Sequence, residues 1–150
     1  MFLAAIQKSG IGIMKVCGSC NCGNVAFEVF TDLSDVYVCH CSLCRKSTGG
    51  SGIAVSVISS DHFKWLKGER FVSHWRKPNH DWETSFCSVC GSPLPGKNDD
   101  EHVYLPVSLL DSGDTELTVK HHLFVASKAP WEEIGDDGVQ HDAGYGTSNV

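Results

Sequence analysis

The chain has 150 residues, enough for one domain with its own hydrophobic core and no need of disulfide staples. Its net charge is −6 and no run of Lys or Arg exceeds a pair. That argues against nucleic acid as a partner, because neutralising phosphates takes clustered cations. No apolar stretch reaches the length of a membrane span, so no membrane partner is expected.

Residues 1–13 lack the charged start, long apolar run and cleavage site of a signal peptide. They are expected to be a disordered leader, with Met14 a second candidate start. A single domain is expected over 14–135, and a loose Gly/Asp-rich tail over 136–150. Without secretion, the expected compartment is the cytoplasm, where eight cysteines point to metal or thiol chemistry rather than disulfides.

Lys15 to Phe30 opens on Cys17-Gly18-Ser19-Cys20-Asn21-Cys22-Gly23 and continues as an alternating strand with Val25, Phe27 and Val29 on one face. In an extended backbone the Cys20 and Cys22 thiols would project to the same side. A turn at Thr31–Asp35 precedes a short strand, Val36–Val38, which delivers the chain to Cys39-His40-Cys41-Ser42-Leu43-Cys44-Arg45-Lys46. Ser47 to Gly52 reads as a flexible loop, either a plain connector or a backbone surface for a ligand. Strands are expected at Ile53–Ile58, His62–Leu66, Phe71–Arg76 and Val103–Val107, with one or two more over Leu117–Val125; Trp82–Phe86 leads into the next cysteine pair. Cys87-Ser88-Val89-Cys90-Gly91 is half of a zinc knuckle. Ala129–Ile134 is expected to form one helical turn behind Pro130. Short strands at close spacing make the fold mostly β.

The thiols fall into three groups: Cys17/Cys20/Cys22, Cys39/Cys41/Cys44 and Cys87/Cys90. Two distant pairs are the usual way to close a four-cysteine structural zinc, which would join the first group to the last. Spacing alone leaves one of the three N-terminal thiols over, and Cys17 reads as a small buried residue. The middle group then offers three thiolates and one open position. A zinc there is either closed by His40, His62 or His122, or open and catalytic; spacing leaves both readings standing. His40 points away from its flanking cysteines in an extended backbone, which favours packing over ligation.

Three segments resemble the glutathione-dependent formaldehyde-activating enzyme family, which is related to centromere protein V. They are Gly18 to Val25, Cys39 to Lys46 and Phe86 to Leu94, in the family's order; His122 to Trp131 resembles its C-terminal signature. The resemblance implies a β-tent fold of several small coiled antiparallel sheets around a structural zinc. It also implies two zincs per chain, with Cys20, Cys22, Cys87 and Cys90 structural, and Cys39, Cys41 and Cys44 catalytic. Cys17 is then the spare thiol, and the ending His141-Asp142-Ala143-Gly144-Tyr145 departs from the family pattern.

The activity implied is a carbon–sulfur lyase that joins glutathione to formaldehyde or a related small aldehyde. Arg45 and Lys46, and with them Lys128, would meet a glutathione carboxylate or else form a solvated basic set. Trp131 reads as a core anchor rather than a stacking platform. A homodimer is compatible with this reading. A non-catalytic two-zinc adaptor for a protein is the alternative, and methionine sulfoxide reduction through Cys17 a third.

Overall fold

The computed structural model describes residues 15–113 and 116–147, so the expected leader and the Met14 start lie outside the described residues. The first strands are β1 (Val16–Ser19), β2 (Ala26–Val29) and β3 (Asp35–Cys39), followed by the one α-helix among the described residues, α1 (Ser42–Thr48). Then come β4 (Ile53–Ser59), β5 (Phe63–Lys67), β6 (Val72–Arg76) and β7 (Glu83–Cys87). The chain continues through β8 (Gly96–Lys97), β9 (His102–Pro106), β10 (Leu110–Ser112), β11 (Thr118–Leu123) and β12 (Val139–Gln140).

These strands form three small sheets, ordered β10-β1-β2-β5, β12-β11-β3-β4-β9-β8 and β6-β7. The fold is mostly β, as its strand spacing and the family resemblance imply. Pairing is antiparallel except that β11 runs parallel to both β3 and β12, which corrects the expectation of purely antiparallel sheets. The chain reaches β11 only after a long excursion, so β11 enters beside β3 in the same direction.

Val25, Phe27 and Val29 are all fully buried, as their alternation requires. Phe27 and Val29 join Val16, Leu33, Ile58 and Leu105 in one core. Val25 packs with Leu94 and two of the thiols, Cys20 and Cys87, in a second. Glu28, on the opposite side of β2, is also buried and pairs with Lys15.

Three local expectations are corrected. Ser47 and Thr48 belong to α1 rather than to a loop, because the Cys41 thiol caps the helix and the Thr48 hydroxyl bonds back to the Cys44 carbonyl. Ala129–Ile134 forms no helix; a 3-10 turn sits earlier, at Val125–Ser127. The expected loose tail is docked through Thr147: β12 pairs with β11, His141 donates its N–H to His122 O, and Phe124 and Val125 donate to Ala143 and His141. Main-chain pairing supplies here what the Gly/Asp-rich composition cannot supply by hydrophobic burial. No helix of the described residues is long and apolar enough to cross a membrane.

Candidate functional site

Two groups of thiols come together. The sulfurs of Cys20, Cys22, Cys87 and Cys90 all lie within 4.8 Å of one another, and so do those of Cys39, Cys41 and Cys44. Cys17, on β1, joins neither.

The four-thiol group is built from two turns that close alike. Gly23 N–H bonds to Cys20 O and Gly91 N–H to Cys87 O, with both glycines at positive φ, 75° and 76°. The space beside each is open, so what favours glycine is the left-handed backbone itself, which L side chains rarely adopt. Cys20 and Cys22 therefore sit on a turn rather than the extended backbone expected. Ser92 ties the halves together: its hydroxyl accepts from Asn21 N–H and lies 3.3 Å from Cys90 Sγ. That contact and a backbone N–H hold the Cys90 thiol down at about 6.

Tetrahedral zinc with Zn–S bonds of about 2.3 Å would place its sulfurs roughly 3.8 Å apart. Cys20 and Cys22 are 3.5 Å apart and Cys22 and Cys87 3.9 Å, so the donor set fits such an ion.

The three-thiol group lies where β3 hands over to α1. Cys39 ends the strand, Cys41 is the helix N-cap and Cys44 is in the first turn, its N–H donating to Cys41 Sγ at 3.3 Å. All three are half-buried. They compete for protons: hydrogen bonds from Cys39 and Cys44 pull Cys41 down to about 2, while Cys41 pushes Cys39 up to about 11. Cys44 is raised further by the same two neighbours. A metal bound there takes all three sulfurs as thiolates, so its binding would release the protons that Cys39 and Cys44 otherwise keep.

Gly52 fixes the exit from the helix. A Cβ there would stand 2.3 Å from the Cys39 carbonyl oxygen, so only glycine lets β4 return alongside the cluster.

No fourth His, Cys, Asp or Glu donor joins Cys39, Cys41 and Cys44 among the described residues. His40 is wholly buried, with both ring nitrogens engaged: Nδ1 lies 2.9 Å from Glu132 Oε2 and Nε2 lies 2.8 Å from His122 Nδ1. His122 Nε2 in turn lies 2.8 Å from Asp136 Oδ1. Carboxylates accept, so the His40 and His122 rings present N–H groups to Glu132 and Asp136. The arrangement fits His40 as a packed residue and engages His122 away from the thiols. Glu132 and Asp136 had no signal in the sequence, since they reach the site from the segment read as turn and tail.

The basic residues separate. Leu43, Lys46 and Ser47 share one helix face by their spacing and line a cleft of about 450 Å³. Arg45 falls on the opposite face and is not among the cleft's walls. Lys128 donates to the carbonyls of Ala129 and Glu132, bracing its own loop. Trp131 is 72% exposed and anchors no core, contrary to expectation.

The far wall of the cleft is the β6–β7 hairpin. Trp75 and Lys77 alternate along one arm, and Trp82, Thr84 and Phe86 along the other. The two tryptophans meet edge to face at 6.2 Å. The Ser47 and Thr84 hydroxyls, 3.3 Å apart, join helix to hairpin.

The sequence model of the glutathione-dependent formaldehyde-activating enzyme family matches residues 15–127. A curated relative from Halomonas elongata, named provisionally as a glutathione-dependent formaldehyde-activating enzyme, is 30% identical over 126 residues, or 78% of this chain and 79% of its own. A crystal structure of a Rhodobacter sphaeroides protein is 22% identical and superposes with a TM-score of 0.53. It covers 66% of this chain and 89% of that one, a likeness of fold alone.

Proposed function

The chain belongs to the glutathione-dependent formaldehyde-activating enzyme family, and from that premise we propose a zinc-dependent carbon–sulfur lyase acting on a glutathione–formaldehyde adduct. Cys20, Cys22, Cys87 and Cys90 would hold a structural zinc, and Cys39, Cys41 and Cys44 a catalytic one with a position left for substrate. The observation that carries the reading is the count at the second cluster: three thiols and no fourth protein donor among the described residues. Zinc bound there would stabilise a thiol as its nucleophilic thiolate.

In the addition, the glutathione sulfur forms a bond to the formaldehyde carbon. The carbonyl electron pair moves onto oxygen, which takes up the proton given by the thiol, so no atom is lost. Run backwards, the same step breaks the carbon–sulfur bond. The chain's own part is to hold the three sulfurs in place. Cys41 does so by capping α1, Gly52 by letting β4 close in, and His40 by locking the backbone between Cys39 and Cys41. Eight free cysteines suit a reducing compartment such as the cytoplasm.

The adaptor reading needs a protein side chain to close the second zinc. His40 and His122 are engaged elsewhere, which weighs against it. Exchange NMR on formaldehyde and glutathione tests the proposal: the zinc-loaded protein should speed exchange between free and adduct states, and Cys41→Ser should abolish the gain. An exchange rate indifferent to the protein would sink it.

A further inference from the structure

The cleft between α1 and the β6–β7 hairpin adjoins the three-thiol cluster through a shared helix. Leu43 sits between Cys41 and Cys44 in sequence, and the cleft-facing Ser47 lies about 5 Å along the helix axis from Cys44. At about 450 Å³ the cleft has the size of a small-molecule site.

Its walls have a definite chemistry. The charged residues lining it are Lys46 and Lys77, with no carboxylate among them, and Trp75 and Trp82 supply flat apolar surface. The hairpin end that presents them is braced, since Lys77 N–H bonds to Trp82 O and Trp82 N–H to His80 Nδ1. Lys46 is exposed and Lys77 half-buried, and neither is engaged in an ion pair among those found in the described residues.

We propose that this cleft seats the peptide of the thiol substrate, with Lys46 and Lys77 pairing with its carboxylates and Trp75 and Trp82 flanking its backbone. This rests on the reading of the three-thiol cluster given above. Glutathione suits the site because it carries a carboxylate at each end and its thiol between them. The carboxylates meet the lysines while the sulfur turns toward Cys39, Cys41 and Cys44. Its ammonium, with no anionic partner in the cleft, stays in water. Lys77 and the tryptophan pair become specificity residues for the peptide, not for the aldehyde.

S-methylglutathione separates this proposal from the reaction, because its blocked sulfur can neither become a thiolate nor add to formaldehyde. It should bind the zinc-loaded full chain saturably, read by calorimetry and by a change in tryptophan fluorescence. The double variant Lys46→Gln/Lys77→Gln should weaken binding about tenfold, and esterifying both carboxylates of the probe should do the same. Lys64→Gln, on β5, should bind like the wild type. Absence of saturable binding overturns the proposal, and so does an affinity unmoved by the lysine pair or the ester. The exchange experiment can fail while this one succeeds, or the reverse, so the two readings fall separately.

Discussion

At the scale of single residues, the second cluster depends on one atom being absent. Gly52 has no Cβ, and the space that atom would need is taken by the Cys39 carbonyl, 2.3 Å away. Backbone cannot swing aside as a long side chain can, so Gly52→Ala should push β4 off Cys39 and cost about 1–3 kcal/mol. Gly50→Ala is the control, because its Cβ would meet nothing closer than the Thr48 hydroxyl at 3.6 Å. Urea titration should find the control within about 0.5 kcal/mol of wild type. A metal assay should find the zinc of the three-thiol site weakened in Gly52→Ala alone. Equal behaviour of the two variants would refute the close-approach argument. Nothing local in Ser47 to Gly52 marks Gly52 out, since the clash is with a residue thirteen positions earlier that only folding brings near.

At the scale of elements, His40 and His122 join β3 to β11 and both strands to the segment carrying Glu132 and Asp136. Each histidine removed leaves a buried neighbour unpaired, so His40→Ala and His122→Ala should each cost about 2 kcal/mol. The double variant should cost less than their sum by more than about 0.5 kcal/mol, because the second loss removes a partner already stranded. Additive losses in denaturant would show that the two act apart. Asp136 adds a pH dependence: His122, and then Gly138 N–H, hold its carboxyl below the ordinary range. A lowered folded pKa gives stability that is full above the ordinary carboxylate value and is lost as pH falls below it through the lowered one.

The alternation at Val25, Phe27 and Val29 made β2 legible, the same period marked β5 and β6, and a continuous apolar run marked β4. α1 was not legible, because its cap is a thiol where Ser, Thr, Asp or Asn would have signalled. β12 escaped because two residues in a polar segment carry no period, and only the β11 edge gives them a partner.

At the scale of the molecule, the two thiol clusters do different mechanical work. Their grouping could be read from spacing, but which one braces the fold depends on what each connects. Cys20 and Cys22 follow β1, and Cys87 and Cys90 end the β6–β7 hairpin, so the four-thiol set clips two separate sheets together over a core containing Val25 and Leu94. Cys39, Cys41 and Cys44 all lie within one strand-to-helix passage. A metal that joins distant segments contributes its binding energy to folding, whereas one held by neighbours in sequence orders only a local loop. Cys87→Ser, at a wholly buried position, should therefore cost about 3 kcal/mol or more, a fall of about 10 °C in Tm for a chain of this size. Cys41→Ser should lower Tm by only a few degrees while abolishing the exchange activity. Metal analysis should find about one zinc in each variant against two in the wild type. Scanning calorimetry of the two variants side by side decides the matter. If Cys41→Ser lost as much stability as Cys87→Ser, the three-thiol cluster would be a second brace and its assignment to substrate would have to be given up.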